Sequence, residues 1–328
     1  MLKFFKSKNP LIVIFYPIIA FAFLYFNSES LNFKNLTIDN PFIYSQILNL
    51  IQGVYFKLYY IILSVVFLSV VSFFFNQLIR NLKLVNSFQH LHGFIFLILA
   101  GFSLPFYDVL QVSVSLFFFL ITINFIIKSL RKNLAVFDFF NAGFSLSVAS
   151  FFWFQIIYFY PVIIIGLLVF RNLNFREILT SIIGLFIPYF FFFSIYFFIN
   201  SDFNIIYDTS QIIFNKNIHF QYDLNRIIPG IILIIILLIS TFHILRKYRS
   251  TESDIQDYYI FYFLLFLLAL TYLIFLHKND LSFIIILMMT SAVPLGVYFA
   301  ENNRPLIREI IFDLLILAVI FSQIGFLR

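Results

Sequence analysis

Three groups of residues carry whatever chemistry this chain can perform. The first is Asp39 with Arg226 and Lys57. Transfer from a polyprenyl-phosphate sugar needs a carboxylate base and a basic group for the phosphate. Asp39 would be the base, and Arg226 or Lys57 would hold the phosphate. Glu29, Asp108, Asp202, Asp208, His219, Asp223, His277 and Asp280 fall on the same side of the chain, and such acids are also what polar loops ordinarily contain. The second group is Asp313 with Glu309 and Arg308. Asp313 lies eight residues past Pro305, about 12 Å along a helix. An acid in an apolar run costs roughly 2.5–3.5 kcal/mol on insertion scales unless it is partnered. Glu309 shares its face, and Arg308 is near enough to help neutralise both. The set reads as a proton or cation site, or as an acid paired with Arg304 or Arg308 inside a bundle. The third group is RNLNFRE, Arg171 to Glu177, in which Arg171 and Arg176 flank Asn172 and Asn174. It reads as interfacial anchoring with a carboxylate favoured by the helix dipole, or as a docking point for a cytoplasmic partner or an anionic lipid head group.

Metal and thiol chemistry find less support. His90 and Asn86 share a helix face and His92 does not. A metal site needs three or four converging ligands, so structural hydrogen bonding is the expectation and no metal or cofactor is anticipated. There are no cysteines, which removes disulfides and thiolate nucleophiles. P-loop, G-x-S-x-G and metalloprotease signatures are absent from the sequence. Gly143, Gly184, Gly230, Pro188, Pro229 and Pro294 are assigned to packing and kinks.

The elements that must position these residues follow from composition. The 328 residues are 62% hydrophobic and 11% charged, against about 25% charged in soluble domains. A soluble core cannot hide that much apolar surface, so the solvent is lipid. The fold class expected is all-α, a polytopic integral membrane protein forming a single transmembrane domain over 1–328. Apolar runs of spanning length fall near 10–27, 58–79, 87–104, 109–128, 140–157, 159–170, 178–199, 227–245, 258–276, 281–300 and 306–325. That gives about eleven transmembrane helices, the fifth and sixth short. With the N-terminus cytoplasmic and retained, 15 Lys and Arg fall on inner ends and 6 on outer ends, together the 21 present, as the positive-inside rule requires. The net charge of +6 is then a topology signal and not a nucleic-acid one. Segments 27–56 and 200–226 are expected as outer interfacial loops, and 246–257 as a mobile cytoplasmic loop.

Phe137-Asp138, Asn141-Ala142-Gly143-Phe144, Pro161, Arg171, Asn174, Phe175, Arg176, Glu177, Gly184, Pro188 and Tyr189 form a pattern. In it, roughly residues 1–200 resemble a family of polytopic inner-membrane proteins of Bacteroidota to which no activity is assigned. The resemblance implies a bacterial inner-membrane location and transfers no reaction. The helix layout, with a first outer loop and then hairpins, also looks like membrane glycosyltransferases that use lipid-linked donors, although the loop is short and has no adjacent acidic pair. The resulting expectation is a protein of envelope biogenesis that handles a lipid-linked or amphiphilic substrate. The alternative is a non-catalytic subunit of a secretion or translocation assembly, in contact with other membrane proteins. A secondary transporter is a third reading, disfavoured by the lack of inverted repeats.

Overall fold

The computed structural model describes residues 10–27, 56–84, 90–104, 108–130, 132, 134–171, 174–200, 224–276, 281–301 and 305–324. Among them are eleven α-helices: α1 Phe15–Asn27, α2 Phe56–Asn81, α3 Leu91–Ser103, α4 Val109–Lys128, α5 Val136–Ser150, α6 Pro161–Phe170, α7 Phe175–Asn200, α8 Leu224–Lys247, α9 Ser253–Leu276, α10 Phe283–Glu301 and α11 Pro305–Ile324. Helix is the local answer because hydrocarbon offers no partner for backbone N–H and C=O groups, which must then be satisfied within each segment. Six helices (α2, α4 and α7–α10) are long and apolar enough to cross a membrane, and shorter apolar helical stretches run over Ile12–Tyr25, Leu91–Ser103 and Phe154–Phe170. Every element among the described residues is helical, and the chain is a multi-pass membrane protein.

Burial separates the centre from the rim. In their most apolar windows α10 is 78% buried and α4 72%, whereas α7 is 17% buried and α8 22%. The centre is therefore α3, α4 and α10, with α3 and α10 packed on each other, α9 and α8 against α10, and α11 against α8 and α3. On the other side α1 packs on α2, α2 on α4, α4 on α5, and α5 on α7. Tyr16 to His90 and Phe23 to Gly101 set α1 parallel to α3. Ala135 to Glu177 and Ser150 to Tyr189 set α5 parallel to α7. Antiparallel neighbours alternate with these pairs, so the ends carrying Lys132, Arg171 and Lys247 form one basic end of the bundle.

The α5–α7 contact depends on two glycines. A Cβ on Gly143 would stand 2.0 Å from the Ser181 carbonyl oxygen, and one on Gly184 would stand 2.2 Å from that of Phe140. Small residues let transmembrane helices approach closely where there is no hydrophobic force between them. Gly230 is different: its Cβ would meet only the Phe102 ring, at 3.7 Å.

Two expectations need correction. The run expected as a crossing over 140–157 ends as a helix at Ser150, turns, and continues as a 3-10 helix, Phe154–Phe159, before α6. Trp153 is extended there and buried against Phe283. The Gln111 amide donates to the Phe152 carbonyl at 2.9 Å, satisfying an acceptor freed by the break. Pro161 then opens α6 at a position where no N–H is needed. The loop expected over 246–257 is compact instead. Helix α8 runs to Lys247, a 3-10 turn covers Tyr248–Ser250, and α9 opens at Ser253. Gln256 ties the turn by donating to the carbonyls of Tyr248 and Thr251, each at 3.0 Å.

Candidate functional site

The RNLNFRE segment closes a clamp at the basic end. Arg171 Nη2 lies 3.0 Å from Glu177 Oε1, and Glu177 is fully buried. The same carboxylate oxygen accepts the Ala135 N–H at 3.1 Å. Arg171 Nη1 donates to the Ser129 carbonyl at 3.2 Å and also to that of Lys132. Lys132 pairs with Asp138 at 2.6 Å. Asn174 caps α7, its side chain accepting the Arg176 N–H at 3.1 Å and its carbonyl the Glu177 N–H at 3.1 Å. One guanidinium thus joins the α4–α5 turn to α6 and α7. Glu177 stands in the first turn of α7, where the helix dipole favours a carboxylate, and it is also a buried ion-pair partner, a role sequence spacing does not reveal. Arg171 is engaged within the chain, and Arg176 is the exposed cation of the motif.

The histidines have separate surroundings. His92 is buried against Gly296 of α10, where an added Cβ would stand 2.2 Å from its ring. The His90 carbonyl accepts the Tyr16 hydroxyl at 2.9 Å, and Asn76 accepts the Gly93 N–H at 3.2 Å. Asn86 lies outside the described residues. No group of three or more His, Cys, Asp or Glu among the described residues is placed to hold a metal ion.

Asp39 lies outside the described residues, as do most of the loops over 27–56 and 200–226, and so does the side chain of Arg226. Lys57 is exposed in the first turn of α2. Of the acids expected on the outer side, Asp108 is the N-cap of α4, accepting the Gln111 N–H at 3.2 Å and the Tyr60 hydroxyl at 2.7 Å. On α11, Arg308 and Glu309 are half-buried, but Asp313 is exposed. The expectation of an acid paired inside the bundle is corrected, because Asp313 occupies the face of α11 turned away from the packed helices.

A cavity of about 380 Å³ opens between α8, α9 and α10. Leu237, Thr241, Tyr259, Tyr262, Phe263 and Val293 are among its walls. Leu238, Leu245 and Phe263, at 60%, 69% and 56% exposure, form its open side. Sequence reasoning missed it, since a cavity comes from helix spacing and leaves no local signal. The Tyr262 hydroxyl is buried without a hydrogen-bond partner among the described residues. At the basic end, Tyr248 stands beside Lys247, which pairs with Glu301 at 2.6 Å. Arg246 lies over the Phe242 ring at 4.4 Å and, like Arg249, is exposed. The cavity walls are apolar apart from Thr241, Tyr248, Tyr259, Tyr262 and Thr290, and Arg246 and Arg249 are neighbours in sequence of its lining residues Leu245 and Tyr248.

Comparison with protein-family models, curated proteins and solved structures finds no match for this chain.

Proposed function

We propose that this chain is a multi-pass bacterial inner-membrane protein of the cell envelope that holds a phosphate-headed amphiphile, one hydrocarbon chain lying in the α8–α10 cavity. The observation that carries the reading is the cavity itself, whose lining residues Leu245 and Tyr248 are followed in the chain by the exposed Arg246 and Arg249. The volume falls within the roughly 300–1,000 Å³ of small-molecule sites. Hydrocarbon gains little by leaving lipid for an apolar pocket, since acyl tails are as apolar as Leu. Selectivity must then come from the head group, and a basic residue near an anionic head contributes about 1 kcal/mol. Lys247 is neutralised by Glu301, so Arg246 and Arg249 supply the selectivity. The positive-inside rule assigns this end to the cytoplasm. Membership of the Bacteroidota inner-membrane family is part of the same proposal, supported by the way its shared residues Arg171, Asn174, Glu177, Gly143 and Gly184 build the α5–α7 clamp.

Native mass spectrometry of the purified protein tests the reading, with phosphatidylglycerol, polyprenyl phosphate and phosphatidylcholine offered in turn. The two phosphate-headed anions should be retained over phosphatidylcholine by roughly tenfold or more. Thr241→Trp, which fills the open side without overpacking the core, should abolish retention. Arg246→Ala with Arg249→Ala should remove the preference while leaving chain binding. Equal retention of all three lipids, unchanged by Thr241→Trp, would discard the proposal. Stronger retention of polyprenyl phosphate than of phosphatidylglycerol would identify a lipid-linked substrate rather than a structural phospholipid.

A further inference from the structure

Helix α11 has two unlike faces. Phe312, Leu315, Val319 and Ser322 are buried. Phe312 packs on Phe94 of α3 and Phe299 of α10, with ring centroids 6.2 and 5.2 Å apart. Gln323 donates to the Gly101 carbonyl at 2.7 Å. With the packing of α11 on α8 and α3, those contacts lay α11 beside α8, a helix long and apolar enough to cross a membrane. The opposite face carries Leu306, Ile310, Asp313, Leu317 and Ile320 at three- and four-residue intervals, which makes them one stripe. The four apolar members are 75%, 59%, 60% and 47% exposed. Asp313 sits among them, about 12 Å along the helix from Pro305 and about 16 Å from Ile324, with no ion pair or hydrogen bond among the described residues.

Ionisable groups at mid-membrane depth normally face a bundle interior or a water-filled cavity, because acyl chains offer neither counter-ion nor hydrogen bond. Asp313 does neither among the described residues. Arg308, five residues earlier, is half-buried on another side of the helix and does not share the stripe. We propose that the Leu306–Ile320 stripe of α11 is a docking face for a transmembrane helix of a different polypeptide, one that presents Lys or Arg at mid-depth to Asp313. A second copy of this chain fits poorly. Two copies docked stripe to stripe about a two-fold axis along the membrane normal would place Asp313 opposite Asp313 at one depth, a like-charge contact. Apolar residues on both sides of the acid supply helix packing, and the carboxylate supplies register and choice of partner, as buried polar positions do in helix pairs. The exposed apolar face of α7, including Phe186 and Phe190, carries no such charge and serves as an internal control.

The test is photocrosslinking in intact cells, with benzoylphenylalanine placed at Ile310 or Leu317 and, as control, at Phe186. Expected is one membrane protein captured at both α11 positions and not at Phe186. Its crosslinked peptide, sequenced by mass spectrometry, should be an apolar helix containing Lys or Arg. Asp313→Lys should lower capture by about tenfold or more, and reversing the partner's basic residue to Glu should restore it. Asp313→Asn, which keeps the shape and removes the charge, should lower capture without altering the amount of folded protein. Capture of lipid alone, of a second copy of this chain, or of a helix without a basic residue would overturn the inference. So would capture unaffected by Asp313→Asn and Asp313→Lys.

Discussion

Replacing Arg171 with Met is expected to destabilise the protein by about 3–5 kcal/mol, the usual cost of stranding one member of a buried ion pair. The reason is local. Glu177 is fully buried, its Oε1 faces Arg171 at 3.0 Å, and its Oε2 has no hydrogen-bond partner among the described residues. Removing the guanidinium leaves that charge uncompensated and also strands the Ser129 and Lys132 carbonyls. Thermal denaturation in detergent, followed by size-exclusion chromatography, measures the loss. The double variant Arg171→Met with Glu177→Met should be more stable than Arg171→Met alone, because it removes the stranded charge. Recovery should be partial, since the Ala135 N–H loses its acceptor. Additive losses in the double variant would show that the two residues do not act as a pair.

The second large effect is expected at the α5–α7 contact. Gly143→Leu and Gly184→Leu should each cost more than the roughly 1–3 kcal/mol of ordinary overpacking, because the obstructing atoms are backbone. The carbonyl oxygens of Ser181 and Phe140 cannot turn aside as a side chain would. The helices must separate, and the Ser150–Tyr189 hydrogen bond at 2.5 Å and the Tyr160–Ser181 bond at 2.9 Å go with them. Gly230→Ala is the matched control. An added methyl there meets the Phe102 ring at an ordinary contact distance, and removing a mid-helix glycine favours helix by up to about 1 kcal/mol. Gly230→Ala should therefore be neutral or slightly stabilising in the same denaturation assay. A loss at Gly230 equal to that at Gly143 would mean that general glycine flexibility, and not close approach, is what matters.

Much of the architecture is legible in the sequence because lipid imposes a simple code. The long apolar runs became helices, since the backbone has no other partner in hydrocarbon, except that the run over 140–157 breaks after Ser150. The run expected from 159 opens as a helix at Pro161, where proline fits a helix start. Assigning Gly143 and Gly184 to packing was sound, but Gly230 looks identical in sequence and does not share their tight surroundings. The facing of each helix is where sequence reading fails. On a segment such as LIREIIFDLLILAVIF, apolar residues occupy both faces, and no polar stripe says which side meets lipid. Asp313 was accordingly expected inside the bundle and lies outside it. The pairs Lys132–Asp138 and Lys247–Glu301 were invisible for another reason: the basic residues already had an explanation as topology signals. The α8–α10 cavity arises from the spacing of three helices and has no signature in any one of them.

The occupant of that cavity is best read directly. Phosphatidylglycerol carrying a diazirine in its acyl chain, irradiated in the native membrane, would label the residues it lies against. Labelled peptides are expected to cluster on the α8, α9 and α10 segments that hold Leu237–Leu245, Tyr259–Phe266 and Thr290–Pro294, and the label should disappear in Thr241→Trp. Labelling spread evenly over the exposed faces of α2, α7 and α8, and indifferent to Thr241→Trp, would contradict a lipid-holding site.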